Sequence, residues 1–150
     1  MKRNFVLGHQ QAREGACRAI HEAPKGDVVT IHPPGKTRPQ ERHYHAQIND
    51  IAKQWQFMGR HWHPTDVKRL MVDLFALEMR NQNKPLHLDS RIVPSIDGLR
   101  FVQMEIHTSD LWKAEAIEFI EWLYWFGAEH RIEWSWETQS QPQHDRMVNA

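Results

Sequence analysis

Apolar positions recur along this chain with two different periods, and each period predicts an element. Residues 10–23 carry Ala12, Ala16, Ala19 and Ile20 at helical spacing, and Pro24-Lys-Gly26 ends that run. Residues 40–55, QERHYHAQINDIAKQW, place Tyr44, Ile48, Ile51 and Trp55 on one stripe. Pro39 just ahead of them suits the first turn of a helix, where its missing N–H costs nothing. Thr65 caps a third helix, whose apolar face runs through Val67, Leu70, Met71, Leu74, Phe75 and Leu77 to about Met79. A fourth helix is predicted over residues 110–128, capped by Thr108 or Ser109. Its core seam is Trp112, Ala116, Phe119, Leu123 and Phe126.

Short extended runs lie between these helices. Residues 4–7, the β-branched 27–31 and 131–135 read as strands. Residues 91–95 and 99–104 flank Ile96-Asp-Gly98, a hairpin signal whose pairing would extend a sheet. A tighter hairpin closes near Met58-Gly59, and residues 32–38 and 81–90 read as loops. The pattern predicts an α+β protein, one domain over residues 1–136, with a small antiparallel or mixed sheet packed against three to four helices. Residues 137–150 are a polar, glutamine-rich tail, expected to be disordered.

Composition narrows the class. At 150 residues and 40% hydrophobic content the chain can bury a core, and no apolar run is long enough to cross a bilayer. The basic start MKRNFVLGHQ has no apolar region of signal-peptide length behind it, so a cytoplasmic location is expected. The single cysteine, Cys17, excludes an internal disulfide framework and reads as a small buried residue. Net charge is zero but uneven: residues 1–69 hold 12 Lys+Arg against 6 Asp+Glu, a net of +6, and the remainder holds 7 against 13, a net of −6. That asymmetry fits an anionic partner for the basic half, or attraction between the two halves across a fold or dimer.

The histidines raise the question of a metal. His43 and His45 lie two apart, roughly 200° around a helix axis, and cannot share an ion there. His61 and His63 could converge only on an extended backbone, and no cysteine or acidic triplet completes a zinc set. No metal and no cofactor is expected. A different pattern stands out. Arg42, His45, Asn49 and Lys53 form a wholly polar stripe, with Arg38 just ahead. Lys68 and Arg69 sit in early turns of the third helix, where the helix dipole prefers acids, so an outside anion or plain solvation must account for them. Trp62 beside Arg60 is either core or a stacking platform for a nucleobase. In the fourth helix Trp122 and Trp125 fall off the seam among glutamates, which points to a self-association surface.

The order of these signals resembles the NinB family, also called Orf, of phage-lambda-type recombination proteins. The resemblance rests on Val28-Val-Thr-Ile31 followed by a Pro/Gly loop, and on Gln40-x-Arg42 opening a helix that continues to Asp50 and Gln54. It rests further on Phe57 and Gly59-Arg60 before the next helix, and on Phe126-Gly127-x-Glu129-x-x-Ile132-x-Trp134-Ser135. It covers residues 27–80 and 115–135 well and the rest loosely. The resemblance implies an intertwined homodimer that binds single-stranded DNA without catalysis. It also implies a mediator that helps a phage or host recombinase load on strands coated by the host single-strand-binding protein. The family's DNA surface maps onto Gln40 and Arg42. Two departures stand out. His45 replaces an aromatic that members can carry, and the polar tail replaces the basic C-terminal helix of lambda-type members.

The expected DNA-contacting residues are therefore Arg38, Gln40, Arg42, His45, Asn49, Lys53, Arg60, Trp62, Lys68 and Arg69, with Trp122 and Trp125 at the dimer interface and no catalytic residue. Two other readings stay open. One is a metal-dependent DNA nuclease, although Asp50 and Asp66 are the only carboxylates within reach of His61 and His63 in sequence. The other is a protein-interaction module that uses the acidic aromatic helix and touches no DNA.

Overall fold

A computed structural model describes residues 2–88 and 90–138. The chain forms two compact units, one ending at His32 and the other beginning at Pro33. The first contains α1 (Gln10–Glu22), capped by the His9 ring, which accepts from the Ala12 N–H at 3.2 Å. The close face of Gly15 lies against the Phe5 ring within this unit. Residues 4–7 and 27–31 are not strands: they pair with no ladder, and Val28 and Ile31 are exposed. Cys17 is exposed rather than buried, because α1 has no fully buried position.

The second unit is built around α2 (Arg38–Gln54), α3 (Pro64–Asn81) and α4 (Lys113–Glu129). Thr37 caps α2 in a reciprocal box: its hydroxyl accepts from the Gln40 N–H, and the Gln40 side chain accepts from the Thr37 N–H at 2.9 Å. α2 packs against α4 most closely and α3 next. The core joins Tyr44, Ile48 and Ile51 of α2 to Met71 and Phe75 of α3 and to Phe119, Leu123 and Phe126 of α4. Each such side chain contributes about 1.5–3 kcal/mol when buried. Burial also pushes the Tyr44 hydroxyl up to about 12.

The α+β class is as expected, with an antiparallel sheet of two strands, β1 (Arg91–Pro94) and β2 (Phe101–Met104). Its register pairs Arg91 with Met104 and Pro94 with Phe101 across the predicted Ile96-Asp-Gly98 turn, where Gly98 takes a positive φ of 72°. Ile92, Phe101 and Met104 are all exposed, so the ribbon extends no sheet. A 3-10 turn (Thr108–Asp110) precedes α4, whose N-cap is Trp112 and not Thr108 or Ser109. The α3 cap is His63, not Thr65; its ring accepts from the Thr65 N–H. Residues 131–135 form a lead-in to the short α5 (Ser135–Thr138) instead of a strand. The predicted disordered tail beyond residue 138 lies outside the described residues.

Candidate nucleic-acid interface

The capping box fixes the register of α2, and the register fixes what its open side presents. Arg38, Arg42, His45, Asn49 and Lys53 fall within an arc of about 80° around the axis, with Ala46 at its edge. No acid lies in that arc. Arg38, Arg42, Asn49 and Lys53 are exposed, and the line they form is about 22 Å long. Lys53 also lies in the last turn, where the helix dipole favours a cation.

His45 stands at the flank facing α3. It is half-buried, and Glu41 lies 3.8 Å from its Nε2. Burial lowers its pKa first; Lys68 and Lys36 act in the same direction, against Glu41. Lys68 is thus brought to the stripe from another helix. So is Lys36, which the sequence reading missed: its Nζ donates to the Ser109 carbonyl and sits 3.8 Å from Glu41. The loop carrying Lys36 is held to the start of α4 by Lys36 N–H to Leu111 O and Lys113 N–H to Pro34 O. Arg69 is not part of this group. One residue beyond Lys68, it points about 100° away and pairs with Glu105 at 3.0 Å.

Gln40 requires a correction. Both ends of its amide are engaged, the oxygen in the capping box and the nitrogen with the Lys113 carbonyl, so it organises the helix start and does not reach outward. Trp62 is corrected in part. Met58 and Gly59 both take positive φ in the tight turn before it, and the Arg60 guanidinium lies 3.7 Å over its ring. The indole N–H donates to the Phe57 carbonyl at 2.7 Å. Trp62 is half-buried, with Arg60 covering one face, so it braces Arg60 rather than offering that face to a base. Trp122 is corrected outright: it is buried among Phe75, Phe119 and Phe126, while Trp125 is 55% exposed.

The opposite side of α2 carries a second polar row that the apolar stripe had hidden. His43 lies 2.6 Å from the Tyr124 hydroxyl. Gln47 donates to the Ile120 carbonyl, and the buried Asp50 accepts from the Ser135 N–H at 2.9 Å. Gln54 exchanges two bonds with the Glu133 backbone, at 2.7 and 2.8 Å. His43 and His45 therefore serve different faces, and Asp50 clamps the segment after α4. His61 meets Gln56 and His63 caps α3, two unrelated tasks.

The lowered pKa of His45 makes folding stability depend on pH. The unfolded chain, near 6.5, binds more protons than the folded one as pH falls, so folding stability drops from about 6.5 downward through the folded value. Thermal melts should record that loss, and His45→Gln should shrink it.

Comparison with known proteins matches residues 1–135 to the family model described as NinB protein. The prophage-derived protein NinB of Escherichia coli is 28% identical over 132 residues, covering 87% of this chain and 82% of that one. Protein ninB of Escherichia phage lambda is similar to the same extent. A solved NinB structure from structural genomics superposes with a TM-score of 0.54 over 93% of both chains, at 23% identity, a likeness of fold.

Proposed function

The chain belongs to the NinB family, and from that premise we propose that it binds single-stranded DNA without catalysis and acts as a recombination mediator. In that role it helps a phage or host recombinase onto strands coated by single-strand-binding protein. The observation that carries the DNA reading is the acid-free line of Arg38, Arg42, Asn49 and Lys53, flanked by His45 and Lys68. Arginine and lysine neutralise phosphates along a strand, and Asn49 can bond phosphate, sugar or base edges. Preference for single strands and the loading role rest on the family resemblance.

The nuclease alternative is disfavoured by where the carboxylates go. Asp50 is buried on the far side of α2 against Ser135, and Glu41 is shared between Lys36 and His45. A homodimer is part of the proposal. It is supported by the apolar ribbon residues Ile92, Phe101 and Val102, exposed on a two-stranded sheet that is marginal by itself in water. Sedimentation should find two copies per particle.

The deciding experiment is fluorescence anisotropy of a labelled single-stranded oligonucleotide at several salt concentrations, with unlabelled duplex as competitor. Affinity should fall steeply with salt, by about 0.7 log units per log unit of salt for each phosphate neutralised. Duplex should compete poorly. Affinity that is flat with salt, or absent at low salt, refutes the DNA reading. Phosphate beside His45 favours its imidazolium, so affinity should rise as pH falls from about 7.5 to 5.5, and His45→Gln should flatten that rise.

A further inference from the structure

On the side of α3 away from Arg69 and Arg80, a groove of about 320 Å3 runs between α3 and α4. Phe75 and Met79 form its buried base. Glu78 of α3 and Glu118 and Glu121 of α4 line it, and Trp125 stands exposed beside them. Three carboxylates face one recess, and none has a Lys or Arg within ion-pair distance among the described residues. Glu118 and Glu121 lie one turn apart on the same helix, an arrangement that costs stability unless a cation answers it.

Trp125 adds a second demand, since its large ring stands 55% exposed at the edge of the same recess. The groove therefore lacks two things, a cation for the carboxylates and a cover for the indole of Trp125. DNA brings only anions and is repelled. A bare metal ion would answer the carboxylates and leave the exposed Trp125 unexplained. A basic, partly apolar polypeptide brings both, a guanidinium or ammonium to lie over Trp125 among the glutamates and apolar side chains to cover the rest of the ring.

We propose that this groove seats a basic, partly apolar segment of a protein partner. The proposal is independent of DNA binding. It uses the acidic face of α4, whereas the DNA reading uses α2, so one protein could hold a strand and a strand-handling protein at separate surfaces.

The test uses the full chain and a short end-blocked, fluorescein-labelled peptide of Arg-Ala-Leu repeats, with a Glu-Ala-Leu peptide as control. Wild type should bind the basic peptide only. Glu118→Gln with Glu121→Gln, and separately Trp125→Ala, should weaken binding about tenfold. These positions are exposed and the glutamates repel each other, so melting temperature should not fall. Glu129→Gln removes one charge from the same helix outside the groove, to be set against Glu118→Gln alone, and should change nothing. No binding by wild type overturns the proposal. Equal weakening by Glu129→Gln also overturns it, by reducing the effect to general charge. If instead the groove variants leave peptide binding intact but dissociate a dimer, the occupant is a second copy and the proposal fails. Single-strand binding, measured on the same preparations, should be unchanged by the groove variants and reports on the DNA reading separately.

Discussion

Gly127→Ala is expected to destabilise the fold by about 3 kcal/mol, although alanine is normally the better helix residue by about 1 kcal/mol. Gly127 lies inside α4, where the indole of Trp134 packs on the bare backbone. A Cβ built there would meet Trp134 Cη2 at 2.8 Å and Cζ2 closer still. The ring cannot swing away easily. It is buried, stacks on Trp136 with centroids 5.2 Å apart, and meets the edge of Tyr124 at 5.5 Å. Moving it also strains the bonds on either side, Glu133 to Gln54 and Ser135 to Asp50. For a chain of this size the loss should lower the melting temperature by roughly 10 °C. A double-mutant cycle with Trp134→Ala sharpens the test: the alanine at 127 should cost far less once the indole is gone. An unchanged or raised melting temperature for Gly127→Ala alone would show that Trp134 yields freely.

That packing also explains what the family-like residues do. Gln40, Asp50, Gln54, Gly127, Trp134 and Ser135 all carried the resemblance, and each is engaged within the fold. Gln40 starts α2, Asp50 and Gln54 hold the segment after α4, and Gly127 admits Trp134. These residues build the scaffold, and the scaffold in turn aims Arg38, Arg42 and Lys53 outward, Arg42 being itself among the residues that carried the resemblance.

Helices α2, α3 and α4 were legible because each buries a periodic face, and the hairpins because Met58, Gly59 and Gly98 take positive φ. The strands expected at 27–31 and 131–135 were not settled by their β-branched and aromatic residues. Such residues favour an extended backbone, but a ladder needs a partner that local sequence does not name. Trp122 was misplaced because α4 was given one narrow seam. It packs against both α2 and α3, so its buried face is wider than a single stripe. The buried polar roles of Gln47 and Asp50 were not legible, because their partners are backbone groups of Ile120 and Ser135, more than 70 residues away in the chain. The basic stripe itself was legible, since it depends only on helix geometry. Lys36 was not, since it reaches the stripe through a loop.

The triple variant Arg42→Ala, Lys53→Ala, Arg60→Ala should bind single-stranded DNA about 100-fold more weakly at moderate salt, with its fold intact. All three side chains are exposed and none makes an ion pair among the described residues. Their removal costs stability only through the dipole contact of Lys53 and the Arg60 stack on Trp62, each worth at most about 1 kcal/mol. Each phosphate neutralised releases about 0.7 of a counterion, so three lost contacts near 0.1 M salt amount to about 3 kcal/mol of binding. The same loss should flatten the plot of log affinity against log salt by about two units of slope, a readout that a general loss of folded protein would not reproduce. Arg100→Ala, on the exposed ribbon turn beside Asp97, removes a surface cation away from α2 and should leave both quantities alone. If the triple variant keeps its affinity and its slope, the α2 stripe is a solvated helix face, and the strand, if bound at all, lies elsewhere.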